Sequence, residues 1–278
     1  MPRVAVVTDS TAYLPPGVAE RYDVTVVPLH VVLGTWSGQE DVEVSPADVA
    51  KALGERRVQV TTSRPTPGQL AAAYRATGAA EVVSVHLSGA LSGTADSARV
   101  AAGQVAPDIT VRVVDSGSLA MGLGFDVIAA AERAVAGATL DEVEQAAATA
   151  DTTTLFYVDT LEHLRRGGRV TATSALVGAA LAVKPLLIVR DGEIALLEKV
   201  RTFSKALARL EELAVEAAGE GPVEIAIHHL AAPERAAQLE AELRDALPAA
   251  QQIYVSEVGA VVGAHAGPGL LGVVVWRR

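Results

Sequence analysis

The 278-residue chain contains no cysteine, so it has no disulfide, no thiolate nucleophile and no zinc–sulfur site. Aromatic residues make up only 4% of it. Its core must therefore be filled by Ala, Val and Leu, and it is short of the rings on which single-stranded nucleic acids stack. Positive charge is scarce as well. The 23 Lys and Arg stand against 33 Asp and Glu, a formal net charge of −10, which repels a phosphate backbone and argues against a nucleic-acid partner. Long apolar runs are missing. The longest, SALVGAALAV, stops at Lys184-Pro185, short of the roughly 20 residues that span a bilayer. The opening MPRVAVVTDS has no signal-peptide apolar segment, so a cytoplasmic location is expected. Metal ligands do not cluster either. His228 and His229 are neighbours in a strand pattern and point to opposite faces, so no metal is expected.

What is present is ordinary for a globular protein: 50% hydrophobic and 20% charged residues. In the first half, short β-branched runs alternate with helical patterns. RVAVVTD, VQVTTS, EVVSVHL and TVRVVD are each followed by a helix-like segment. Such βα units predict a parallel sheet covered on both faces, with ligands beyond the carboxyl ends of the strands. Residues 9–11, 61–63, 88–94 and 115–116 all fall at those ends and are rich in hydroxyls and Asp, which predicts a polar rim. The second half differs. KPLLIVRDGEIALLEKVRT reads as two strands joined by Asp191-Gly192, a hairpin signal. The expected fold is therefore α/β with two domains. Residues 1–150 form N-terminal α/β/α layers with a parallel sheet, and residues 151–278 form a C-terminal mixed sheet flanked by helices.

Four stretches suit chemistry. The first is the loop SGALSGT, residues 88–94, between a strand and a helix. Bare N–H groups at a helix start attract anions. The loop is not a P-loop, because Gly93 stands where that motif has lysine. It is not a nucleophile elbow, because Ala90 stands two residues before Ser92. With no lysine, a di- or triphosphate is poorly neutralised there, and a single carboxylate or phosphate fits better. Ser92 suits two roles, helix cap or hydroxyl donor to that anion. The second stretch, TTSRPTPG, adds Thr62 and Ser63 at a strand end as a further hydroxyl source, although taken alone the stretch reads first as a capping turn. The third, VGAHAGPGLLG, sets His265 among small residues in a loop where a ligand can approach the backbone. The fourth, HLRRGGRV, clusters Arg165, Arg166 and Arg169. Arg165 and Arg166 read as a solvated face. Arg169, after two glycines, reads as a placed guanidinium, and Arg201 follows a strand in EKVRT.

These stretches together resemble the DegV family. VTDSTAYLP, TTSRPTPGQ, HLSGALSGTADSA, VVDSGSLAMGLG, YVDTLEHLRRGGRV, KPLLIVRDGEI…EKVRT and GAHAGPGLLG match that family's motifs in order along nearly the whole chain. Two positions depart from the pattern: Arg64 replaces the usual Gln, and Ala266 replaces a usual Thr. The resemblance implies a two-domain fold with a long-chain fatty acid as ligand between the domains. It implies that Thr62, Ser92, Gly93 and His265 bind the carboxylate, with the backbone N–H of Gly93 or Thr94 assisting. It implies no catalytic turnover by the chain alone. A separate fatty acid kinase subunit would phosphorylate the bound acid to acyl phosphate for phospholipid synthesis, with Arg169 and Arg201 steering the partner or its phosphate. Transient contact with a membrane surface during lipid exchange is compatible with that role.

An acyl tunnel needs small and aliphatic lining. Met121, Phe125 and Ile128 in one helical stretch, with Leu176 and Ala180 in another, are the candidates, although for any single one of them plain core packing is the favoured reading. Two rival functions stand beside this one. The first is an esterase or acyltransferase with Ser92 as nucleophile and His265 as base. The second is a binder of a small phosphorylated metabolite at the same helix start.

Overall fold

The structure, a computed structural model, describes residues 4–55, 58–170 and 183–278. Strand β1 (Val4–Asp9) is buried along its whole length, as a central parallel strand must be. It lies between β2 (Val24–Val27) and β6 (Glu81–His86), and β6 pairs with β7 (Thr110–Asp115), all parallel, in the order β2-β1-β6-β7. Strand side chains alternate between faces. Val4 and Val6 accordingly enter one core with α5 (Met121–Val135) and α6 (Leu140–Ala148). Ala5 and Val7 enter the other with α3 (Pro67–Ala76) and α4 (Thr94–Val105). A short helix, α1 (Val18–Tyr22), leads from β1 into β2.

One expected member is absent from this sheet. The run read as VQVTTS becomes β5 (Val60–Ser63), which pairs antiparallel with β3 (His30–Leu33) in a separate three-stranded sheet completed by β4 (Trp36–Gln39). Its residues alternate between half-buried and exposed, the pattern of a small antiparallel sheet rather than of a doubly covered parallel one. Helix α2 (Pro46–Gly54), started by a Ser45–Asp48 capping box, covers this sheet through Val49.

The second large sheet has six strands in the order β10-β9-β8-β13-β11-β12. These are β8 (Asp151–Tyr157), β9 (Lys184–Arg190), β10 (Glu193–Val200), β11 (Val223–His229), β12 (Ala250–Glu257) and β13 (Leu271–Arg277). Only β11 and β12 are parallel neighbours, so the sheet is mixed. The expected β9–β10 hairpin is present, with Asp191 at φ 52° and Gly192 at φ 80°, both left-handed as its two-residue turn needs. Helices α8 (Phe203–Ala218) and α9 (Pro233–Ala246) cover one face of this sheet. The other face looks toward the parallel sheet across α5. Leu123 and Val127 of α5 belong to the first core, whereas Met121, Phe125 and Ile128 pack on Ala226, Val274 and Trp276. Two short helices, α7 (Glu162–Arg166) and α10 (Ala260–Ala266), stand beside this face. No helix among the described residues is long and apolar enough to cross a membrane.

Candidate functional site

A cavity lies between the two large sheets, with about 880 Å³ of empty space when the solvent at its open mouth is counted. The parallel-sheet half contributes Leu87, Leu91, Ser92 and Leu119; the small sheet contributes Thr62, Ser63 and Arg64. The mixed-sheet half contributes Thr154, Leu155, Phe156, Ile194, His228 and Val274, and α7, α10 and their loops contribute Leu164, Arg169, Val261, His265 and Leu270. Most of the wall is aliphatic. No Asp or Glu is among the lining residues described.

The polar groups gather at one place. Thr62 Oγ1 lies 2.9 Å from His265 Nε2. Burial, and then the nearby Arg169 guanidinium, push His265 down to about 4, so the imidazole is neutral at physiological pH. The ring fits because Gly167 faces it: a Cβ there would overlap Nδ1. This close approach gives the glycine pair in HLRRGGRV a physical reason. Arg169 Nε donates to the Leu91 carbonyl at 3.1 Å, and Nη1 donates to the Gly167 carbonyl. Burial lowers its pKa, and it remains a cation.

The loop of residues 88–94 ends this cluster. Gly93, not Ser92, is the N-cap of α4, and no side chain caps that end. Ser92 Oγ instead lies 2.9 Å from Thr94 Oγ1, so its hydroxyl is not consumed as a cap. Arg64 lies over the same helix start, where a Cβ at Gly93 would overlap its guanidinium.

The remaining strand ends do structural work. Asp9, fully buried, accepts from Leu87 N–H (3.1 Å), Thr11 N–H (3.1 Å) and His86 Nδ1–H (3.0 Å). His86 Nε2 lies 2.7 Å from Ser84 Oγ, which lies 2.9 Å from Tyr74 OH. This Ser84–His86–Asp9 relay has the connectivity of a hydrolase triad, but all three side chains are buried inside the parallel sheet. Asp115 accepts from Gly89 N–H and Gly117 N–H, and Ser88 Oγ donates to the Gly192 carbonyl at 2.7 Å. The latter bond joins the loop of residues 88–94 to the β9–β10 hairpin.

Helix α10, which carries His265, is held from the other side. Glu40 accepts from Val261 N–H at 2.7 Å, Tyr13 OH at 3.1 Å and the Ser10 hydroxyl. Tyr13 OH in turn accepts from Val262 N–H at 3.1 Å. Burial raises Glu40 to about 7. The end of β1 is thereby tied to the helix that presents the imidazole.

His228 forms a second polar point on the wall. Its Nε2 accepts from Met121 N–H at 3.2 Å, the first residue of α5, so Nδ1 carries the proton and faces Ser256 Oγ at 3.1 Å. Burial pushes it down to about 4. Ala120, just before, sits at φ 53°, ψ −142° on the cavity wall, a conformation strained for any residue with a Cβ.

Thr62, Ser92, His265 and Arg169 thus meet at one end of the cavity, with Gly93 at the adjoining helix start. His265 is on a short helix rather than in the expected loop. Met121, Phe125 and Ile128 are not on the cavity wall. Phe125 stacks against Trp276, ring centroids 5.0 Å apart, and the three fill the core between α5 and the mixed sheet. Leu119 and Ala120 line the cavity in their stead. Leu176 and Ala180 lie outside the described residues. Arg201 is exposed beyond β10 and does not line the cavity. Sequence reasoning missed His228, Thr154 and Ile194. The signal for His228 was the alternation in VEIAIHH, where Glu224, Ala226 and His228 share the face away from the Val223–Ile225–Ile227 core.

The fold and cavity define a class: an α/β protein of two large sheets and one small one, with a largely aliphatic cavity that has a hydroxyl–imidazole–guanidinium end. Comparison with known proteins gives the family. The model described as "Uncharacterised protein, DegV family" matches residues 3–278, and the chain belongs to the DegV family. It is 58% identical over 280 residues to a DegV domain-containing protein of Streptomyces coelicolor, covering 99% of both chains. It is 37% identical over 278 residues to Protein DegV of Bacillus subtilis, covering 97% of this chain and 98% of that one. Among solved structures, it is similar to a Thermus thermophilus DegV family protein described by its fatty acid binding, with TM-score 0.92, 31% identity and full coverage of both chains. It is also similar to the Bacillus subtilis DegV, described as a fatty acid binding protein, with TM-score 0.90, 34% identity and full coverage of both.

Proposed function

We propose that this protein binds a long-chain fatty acid, with its carboxylate at Thr62, Ser92, the N–H groups at Gly93 and Thr94, and His265, and with its tail in the aliphatic cavity. The observation that carries this reading is the junction of the two parts: a single space runs from the Thr62–His265 pair into walls of Leu, Ile, Val and Phe. The fatty acid binding of the Thermus and Bacillus relatives supports it. The energetics divide cleanly. A tail of about fourteen methylenes contributes on the order of 11 kcal/mol gross at ~0.8 kcal/mol each, reduced by the cost of immobilisation. Each hydrogen bond to the carboxylate contributes about 1.5–3 kcal/mol. The tail sets affinity and the polar end sets orientation.

The chain acts as a presenting subunit. A separate fatty acid kinase phosphorylates the held carboxylate to acyl phosphate, with Arg169 acting from the cavity wall and Arg201 from the exposed end of β10. The division of labour between residues 1–150 and 151–278 follows: the first part supplies hydroxyls and helix dipole, the second supplies His265 and most of the tail's walls. Against the esterase reading, Ser92 Oγ is engaged with Thr94, His265 Nε2 with Thr62, and no carboxylate among the described residues hydrogen-bonds His265. The test is mass spectrometry of gently purified protein from its native host. A co-purifying fatty acid of about C14–C18 is expected, with no labelling of Ser92 by a fluorophosphonate. A bound sugar phosphate, or covalent labelling of Ser92, refutes the proposal.

A further inference from the structure

The loop of residues 88–94 has no lysine, yet the cation it lacks arrives from elsewhere. Arg64, at the end of β5, lies across Gly93 at the start of α4 and borders the cavity. It is exposed and, among the described residues, has no hydrogen-bond or ion-pair partner. Arg169 borders the same space and, among the described residues, is held by two carbonyls. His265 beside them is neutral, and no carboxylate is among the described lining residues. Two guanidiniums and the N-terminus of a twelve-residue helix therefore face one small volume in a protein whose net charge is −10. A single carboxylate leaves one of those positive charges unmatched.

We propose that Arg64 is a specificity-determining residue that makes this head-group site prefer a doubly charged phosphoryl head on a long alkyl or acyl chain over the corresponding carboxylate. The inference rests on the fatty acid reading above and deepens it: the ligand held best is the phosphorylated amphiphile. A guanidinium fork matches two phosphoryl oxygens, and charge-assisted pairs of this kind outrank neutral ones. A neutral Gln at this position would donate hydrogen bonds without adding charge.

The test is competition against a fluorescent fatty acid at pH 8, where a phosphate monoester is dianionic. The competitors are palmitate, hexadecyl phosphate, hexadecanol and inorganic phosphate. Wild-type protein is expected to bind hexadecyl phosphate about tenfold more tightly than palmitate. Arg64→Gln should abolish that preference, leave hexadecanol unchanged, and weaken hexadecyl phosphate several-fold more than palmitate. Arg64→Lys should restore part of the preference, and added salt should erode it in the wild type more than in Arg64→Gln. An unchanged ratio of phosphate to palmitate affinity in Arg64→Gln overturns the inference and leaves the fatty acid reading standing. Equal competition by inorganic phosphate also overturns it, because the chain would then be irrelevant. If the wild type binds neither palmitate nor hexadecyl phosphate, the fatty acid reading falls and this inference with it.

Discussion

Replacing Thr62 by valine removes one hydroxyl and almost no volume, at the point where the polar end of the cavity begins. In the free protein that hydroxyl lies 2.9 Å from His265 Nε2. The imidazole is held neutral by burial, so it cannot substitute for the lost donor by charging. With Nε2–H donating to Thr62 Oγ1, the hydroxyl's single proton is left for the carboxylate; the lost Oγ1 acceptor then costs free and bound variant alike, about 1–3 kcal/mol, and cancels from the affinity. What remains is one hydrogen bond to a carboxylate, about 1.5–3 kcal/mol, or roughly 10–150-fold in Kd. The tail supplies an internal scale. At ~0.8 kcal/mol per methylene, the loss equals shortening the chain by about two to four carbons. Titration calorimetry of wild type and Thr62→Val with palmitate, myristate and laurate checks this directly. The variant should bind palmitate as the wild type binds myristate or laurate, while the two proteins bind hexadecanol equally. A Thr62→Val protein with an intact circular dichroism spectrum that binds palmitate within about twofold of wild type would refute the assignment of Thr62 to the head group.

Four other outcomes are expected. His228 and Glu40 oppose each other in pH. His228 is held at about 4 against 6.5 unfolded, so its contribution to stability is lost as pH falls through that window. Glu40 is held at about 7 against 4.5, so its contribution is lost as pH rises through that window. Each amounts to about 3 kcal/mol, and Glu40→Gln removes only the second. Urea unfolding should therefore show a steeper loss of stability from pH 7 to pH 5 in Glu40→Gln than in wild type; parallel curves would count against it. Ala120→Gly relieves the strain at φ 53° and should stabilise by about 1 kcal/mol net of chain entropy, read as a raised Tm; a lowered one contradicts the strain argument. Nuclear magnetic resonance of free protein should show no His265 titration between pH 5 and 8, since its pKa lies at about 4; an inflection near 6.5 would refute its burial by the surrounding cavity. Arg201→Ala should leave palmitate affinity unchanged and slow kinase-dependent acyl phosphate formation, whereas loss of palmitate binding would place Arg201 in the pocket.

The elements were legible because they are local. The β9–β10 turn is written in Asp191-Gly192, the two left-handed positions that turn requires. The doubly covered strand β1 is written in a run buried on both faces. The motifs HLSGALSGTADSA and GAHAGPGLLG pointed to Ser92 and His265, which the fold brings to one cavity. The chain partner of each element was not legible. VQVTTS has the same local character as the parallel strands, and only pairing with β3 shows that it belongs to another sheet. Phe125 has the character of a tunnel residue, and only the position of Trp276 on β13 shows that its space is filled.

Sequence alone determined the aliphatic character of the interior and the absence of thiol chemistry, because these follow from residue type. Tertiary structure alone decided which polar side chains at the strand ends remain unspent, since the Asp9 and Asp115 carboxylates and the Ser88 hydroxyl are consumed by partners far away in the chain. It also decided that Arg64 covers Gly93 and that Thr62 meets His265. The latter two lie 203 positions apart. Hydrogen bonds and charge act over a few ångströms of space, and only the folded chain fixes which residues come within that reach.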